Sequence, residues 1–221
     1  MTSKHCIRFA KTTRAHHLCL SLVVSLILMF SSIESQAQWL SGYSYRVRIT
    51  IQGSQVCGST DFSNFPVLIQ ANGTFLRPAP DGLITNSNGY DIRFTRANGV
   101  TVLDHQIDHY YSASGTYAAW VRIPTLSATG DTEIYMYYGN SSVTTDPSTT
   151  GTWNNSFRTV YHFQNNNFND GTVNGINGTN NGTTNAGTAK IGQGRSFDGT
   201  NDFIQTTSND FRTLNNLTVS V

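Results

Sequence analysis

Alternation of apolar and polar residues with a period of two, punctuated by Gly, Asn and Pro, runs through the chain from Gly42 onward. Val47, Ile49 and Ile51 fall on one face of an extended segment, and Arg46, Arg48 and Thr50 on the other. Residues 65–69 (FPVLI) form a short apolar run that reads as a buried strand, with its Pro suited to a strand's first residues. Further strands are expected at 90–95, 100–111, 117–123 and 132–138, and Asn98-Gly99 carries a hairpin signal. In the last of these, Ile134, Met136 and Tyr138 oppose Glu133, Tyr135 and Tyr137. Residues 75–84 read as a short helical or irregular crossing, and no long helix is expected. Strands spaced in this way predict an all-β protein built as an antiparallel β-sandwich.

Composition narrows the function classes. Only 12% of the 221 residues are charged, about half the usual quarter, which excludes a coiled coil, a helical bundle or a basic nucleic-acid binder. Apolar and aromatic residues recur along the whole chain, so it is not simply disordered.

The N-terminus has the pattern of a secretory signal. Lys4, Arg8, Lys11 and Arg14 precede a 13-residue apolar run at 18–30, and Ser35-Gln36-Ala37 offers small residues for a cut before Gln38. The run is too short for a membrane span, which needs about 20 residues. The expectation is an exported protein, secreted or at the cell surface, with no membrane span in the mature chain. Loss of residues 1–37 moves the net charge from +1 to −2, which predicts no nucleic-acid affinity. Cys6 and Cys19 leave with the signal, so Cys57 can form no internal disulfide and is expected to be a small buried apolar residue.

The expected organisation is a signal peptide at 1–37, a β-sandwich at 38–140, a linker at 141–155 and a further domain at 156–221. The linker is Ser/Thr-rich, and residues 164–187 are dominated by Asn, Gly and Thr. Strand character returns around 195–197, 203–204 and 217–221.

The phrases WLSGYSYRVRITI, FPVLI, DIRF, LDHQIDHY, AAWVRIP and IYMYYGN, in that order over residues 39–140, resemble the bacterial secreted family known as domain of unknown function 2341. The resemblance implies an extracellular β-sandwich module without an established activity. VYHFQNNNFNDGTVNGINGTNNG, KIGQGRSFDGTNDFIQ and LTVSV are similar to the opening of a laminin-G-like, concanavalin A-like lectin/glucanase jelly roll. Such a domain needs about 150 residues or more, so an incomplete jelly roll, belonging to a larger protein with other domains, is the expectation.

Candidate chemistry is sparse. Asp104-His105-Gln106-Ile107-Asp108-His109 is the most reactive-looking string. On a helix, His105 and His109 would share a face and could hold zinc. On a strand they share a face too, but lie roughly 13 Å apart, too far for one metal. Asp131 and Glu133 are spaced for a glycosidase pair but read as a solvated strand end. No G-x-S-x-G elbow, P-loop or dinucleotide fingerprint occurs, and no cofactor is expected apart from calcium at Asp198 and Asp202 in the phrase FDGTND. The same residues suit a tight turn. Tyr135 and Tyr137, joined by Trp120 on a neighbouring strand, are the candidates for stacking on sugars. The leading expectation is a non-catalytic binding or adhesion module for glycans or cell-surface polysaccharide. The alternatives are a fragment of a polysaccharide-degrading enzyme and a structural spacer.

Overall fold

The alternating segments pair as their periodicity requires. Six strands, β1 (Tyr45–Ile51), β2 (Phe62–Asn72), β3 (Arg93–Arg96), β4 (His105–Tyr111), β5 (Thr116–Leu126) and β6 (Thr132–Tyr138), form two antiparallel sheets with strand orders β1-β6-β3 and β2-β5-β4. The computed structural model describes residues 38–153, 156–207 and 218–219, so the expected signal at 1–37 and most of the stretch 208–221 lie outside the described residues. From Ala37 onward the chain groups into one compact unit.

The two sheets face each other as a β-sandwich. Register places Val47 opposite Met136 and Ile49 opposite Ile134. Ile134 and Met136 are buried in the core, Ile49 and Ile51 pack against it partly buried, and Val47 stays 38% exposed at the open side of the edge strand. Phe94, Ile134, Val121 and Tyr117 are fully or almost fully buried there. Each such side chain contributes about 1.5–3 kcal/mol by leaving water.

Several elements depart from the sequence reading. Pro66 sits in the middle of β2, opposite Arg122. This is tolerated because β2 is an edge strand, with one side of its backbone free of ladder bonds. The Asn98-Gly99 hairpin is short: after Arg96 N–H to Thr101 and Leu103 N–H to Phe94, the chain leaves β3 and crosses to the other sheet. The strand expected from residue 100 therefore starts only at His105, where pairing with β5 begins. Residues 75–84 begin in a 3-10 turn and continue without regular structure. Cys57 is exposed rather than buried, because it follows β1 in a loop that no element covers.

β1 and β2 are both sheet edges and lie beside each other. Between them is an apolar groove of about 460 Å³ lined by Val47, Ile49, Ile51 and Val67. On the opposite side of the β2-β5-β4 sheet, residues 148–149 hydrogen-bond to the free edge of β4. Thr149 N–H donates to His105 O at 3.0 Å, and Ile107 N–H to Ser148 Oγ at 3.1 Å. The Ser/Thr-rich stretch thus covers a strand edge that would otherwise be open to other chains. Beyond it, β7 (Gly178–Asn181) pairs with β10 (Phe203–Thr206), and β8 (Thr184–Thr188) with β9 (Gln193–Ser196), as two antiparallel pairs.

Candidate functional site

Two places concentrate side chains able to recognise something, one on the outer face of each sheet. On the β1-β6-β3 sheet, period-two alternation sends Arg46 and Arg48 of β1 outward beside Tyr135 and Tyr137 of β6. Tyr137 does point outward but is 0% exposed, so it cannot stack on a ligand. Trp39 and Tyr43 meet its ring edge-on, with centroids at 5.6 and 5.8 Å. Its hydroxyl donates to Gly99 O at 3.0 Å and accepts from the Arg46 guanidinium at 2.8 Å. Trp39 takes its place at the surface, 49% exposed. The Arg46 guanidinium carbon lies 4.7 Å from the Trp39 ring centroid and 4.4 Å from that of Tyr135. Indole Nε1 of Trp39 donates to Tyr43 O at 2.6 Å. The surface is therefore two partly exposed rings with a cation wedged between them, each held by contacts that limit its motion.

Trp120 is positioned differently. It lies on the outer face of β5, opposite Leu68 and Gln106, and Trp153 packs against it at 5.3 Å. Its indole nitrogen donates to Asp108 Oδ2 at 3.2 Å. The ring that sequence offered for stacking is thus engaged in attaching the next segment.

That attachment is the second cluster, and a β-bulge creates it. Register along β4 runs His105 opposite Val121 and Ile107 opposite Ala119, then slips so that His109 faces Ala118. The extra residue is Asp108. The slip places Gln106, Asp108 and His109 on the outer face while His105 and Ile107 stay toward the core. His105 and His109 therefore do not share a face. His105 packs against Phe94 at 5.3 Å, and burial, reinforced by the charge of Arg93, lowers its pKa to about 4. It is a neutral core residue at physiological pH.

The Asp108 carboxylate, 8% exposed, meets His109 Nδ1 at 3.2 Å and His162 Nδ1 at 2.9 Å. Burial acts to raise its pKa, but hydrogen bonds from His109 and His162, with the latter's charge, outweigh it and hold the group well below the usual carboxylate range. His162 Nε2 lies 2.8 Å from Gln106 Oε1, which also accepts from Trp153 Nε1 at 2.6 Å. The Gln106 amide nitrogen donates to Thr149 O and Gly171 O. Asp170 organises the segment that carries these partners: its carboxylate accepts from the backbone of Val160, Thr172 and Ile176 at 2.9–3.0 Å. Asp91 performs a similar task within the sandwich, accepting from Thr85, Asn86 and Gly139.

The remaining candidates are engaged elsewhere. Asp131 accepts from Gly53 N–H and Glu133 pairs with Arg48, so the two carboxylates serve separate partners. Asp198 Oδ1 accepts from Thr200 and Asn201 N–H, and Asp202 Oδ2 from Asp198 N–H, the pattern of a self-closed turn. Among the described residues no group of three or more His, Cys, Asp or Glu side chains could hold a metal ion, and no helix is long and apolar enough to cross a membrane.

Residues 88–180, less than half of the chain, match the family described as Domain of unknown function (DUF2341). The matched span starts before β3 and ends within β7, so it takes in Asp108 and His162 together. It differs from the 39–140 suggested by the sequence phrases in leaving out β1 and β2 and in continuing past residue 140. No curated protein and no solved structure matches the chain.

Proposed function

We propose that this chain is an exported, non-catalytic binding module that takes carbohydrate on the Trp39–Arg46–Tyr135 face, within a larger extracellular or cell-surface protein. One observation carries the reading: a half-exposed Trp39 ring, fixed by its indole hydrogen bond and the Arg46 guanidinium, shares that guanidinium with the partly exposed ring of Tyr135 on the outer face of the sheet. Flat rings held in place stack on the apolar faces of sugars, and little conformational freedom is left to lose on binding. Export rests on the leader-like pattern of residues 1–37. Residues 156–221 are read, on their sequence phrases, as the opening of a laminin-G-like domain, with 38–140 as the sandwich before it.

Affinity electrophoresis through gels containing xylan, laminarin or mannan tests the binding reading. The wild-type chain is expected to be retarded by at least one of them. Trp39→Ala and Tyr135→Ala should migrate freely, and Trp120→Phe should behave as wild type. Free migration of the wild type in every gel would leave a spacer as the better account, and retardation of Trp39→Ala equal to wild type would move the binding surface away from this face.

A further inference from the structure

We propose that His162 is held as a doubly protonated imidazolium in the folded chain, so that one proton fastens the segments carrying Thr149, Trp153, His162 and Gly171 onto the outer face of β4 and β5. The argument is one of donors and acceptors. Both ring nitrogens of His162 face oxygen: Nδ1 lies 2.9 Å from Asp108 Oδ2, and Nε2 lies 2.8 Å from Gln106 Oε1. An oxygen of an amide can be confused with its nitrogen, but three further partners fix Gln106. Its Nε2 donates to the carbonyls of Thr149 and Gly171, and its Oε1 receives the indole N–H of Trp153. Turning the amide over would set its oxygen against two carbonyl oxygens and its NH2 against an indole N–H. The atom facing His162 Nε2 is therefore an acceptor.

The other partner is an acceptor as well. Asp108 also meets His109 Nδ1 on Oδ1 and Trp120 Nε1 on Oδ2, and it keeps its charge well into the acid range. A neutral imidazole has one N–H, and would leave a lone pair pointing at an oxygen on one side. The imidazolium has two and satisfies both.

The groups that face this ring come from several elements. Asp108 and His109 of β4 are titratable; Gln106 of β4, Trp120 of β5 and Trp153 of the covering segment are not. Gly192, in the turn between β8 and β9, closes over Asp108 and His109 with no side chain of its own. His109 presents only Nδ1 to this carboxylate, whereas His162 presents both ring nitrogens to acceptors.

The closed arrangement therefore binds one proton that the open one can release. Closure is favoured at and below the ordinary histidine range, about 6.5, and weakens as the pH rises above it. One proton corresponds to roughly a tenfold change in the opening constant per pH unit, over the range where the open form has lost it and the closed form has not.

Nitrogen-15 NMR of the histidine rings in the full chain tests this directly. At pH 7, His162 is expected to show two protonated ring nitrogens; a pattern with one protonated and one bare nitrogen would overturn the proposal. Amide hydrogen exchange supplies an independent readout at Thr149 and Gly171, whose N–H groups bond His105 O and Val160 O. After correction for intrinsic exchange, their opening should increase up to tenfold per unit above neutrality in the wild type and be flat in His162→Gln. If His162→Gln does not fold, the wild-type spectrum and slope decide alone, and a wild-type opening that does not vary with pH refutes the device.

Discussion

Replacing Asp108 with Ala removes the acceptor on which the covering segment converges. The carboxylate is 8% exposed and accepts from three side chains, His109, His162 and Trp120. Hydrogen bonds to a charged partner contribute about 1.5–3 kcal/mol each, and the donors left behind lie where water reaches them poorly. His162, 17% exposed at its side chain, can recover part of its loss by hydration. Taking the lower value for each bond gives a loss on the order of 4 kcal/mol, a large part of the roughly 5–15 kcal/mol that holds a typical domain. Asp108→Asn keeps the shape and one acceptor but loses the charge, so about half that loss is expected. Guanidinium unfolding followed by tryptophan fluorescence is the suitable assay, because Trp120 and Trp153 pack with ring centroids 5.3 Å apart, and Trp120 donates to this carboxylate. A change below about 1 kcal/mol in Asp108→Ala would show that the network contributes no more than an exposed ion pair, and would refute the reasoning.

Three more outcomes follow from the same geometry. Phe94→Ala, at a 0% exposed core position, should cost about 3–5 kcal/mol in the same unfolding assay. Gly192→Ala should loosen the turn between β8 and β9, because its φ is +58° and a Cβ would stand 2.5 Å from Asp108 Oδ1. Faster amide exchange in that turn, with the sandwich unaffected, is the result to look for. On the acid side the sign comes from Asp108. Its pKa is depressed in the folded chain, so its contribution is complete above the ordinary carboxylate range and is lost as the pH falls toward its low folded value. Trp120 and Trp153 fluorescence should therefore stay constant from pH 7 down to about 5 and change only in stronger acid.

The sandwich was legible because its signal is local. Residues such as Ile134 and Met136 declare by spacing alone which face is buried, and register then follows from setting the apolar face of β1 against that of β6. The sites were less legible, for reasons that differ from residue to residue. A bulge adds one residue without any mark in composition, so the alternation of Leu103, His105, Ile107 and His109 gave no warning that the register slips at Asp108. Trp153 lies in a Ser/Thr-rich stretch that reads as a linker, yet its indole covers Trp120. Alternation puts Tyr137 on the outer face, but its cover comes from Trp39 and Tyr43, which belong to no strand. Period-two reasoning says which side a residue points to; what lies on top of it depends on segments without periodicity. The Asp104–His109 string is conspicuous in the sequence by its chemistry, whereas His162 lies 54 positions from Asp108 and only the fold brings the two together.

Titrating the labelled chain with the polysaccharide that retards it, while following the tryptophan indole and backbone resonances, tests the central claim most directly. The binding account predicts saturable shifts at Trp39, Arg46 and Tyr135, with Trp120 and Trp153 unmoved beneath their cover. Shifts centred on Trp120 and Trp153, or none at Trp39 at saturation, would contradict it.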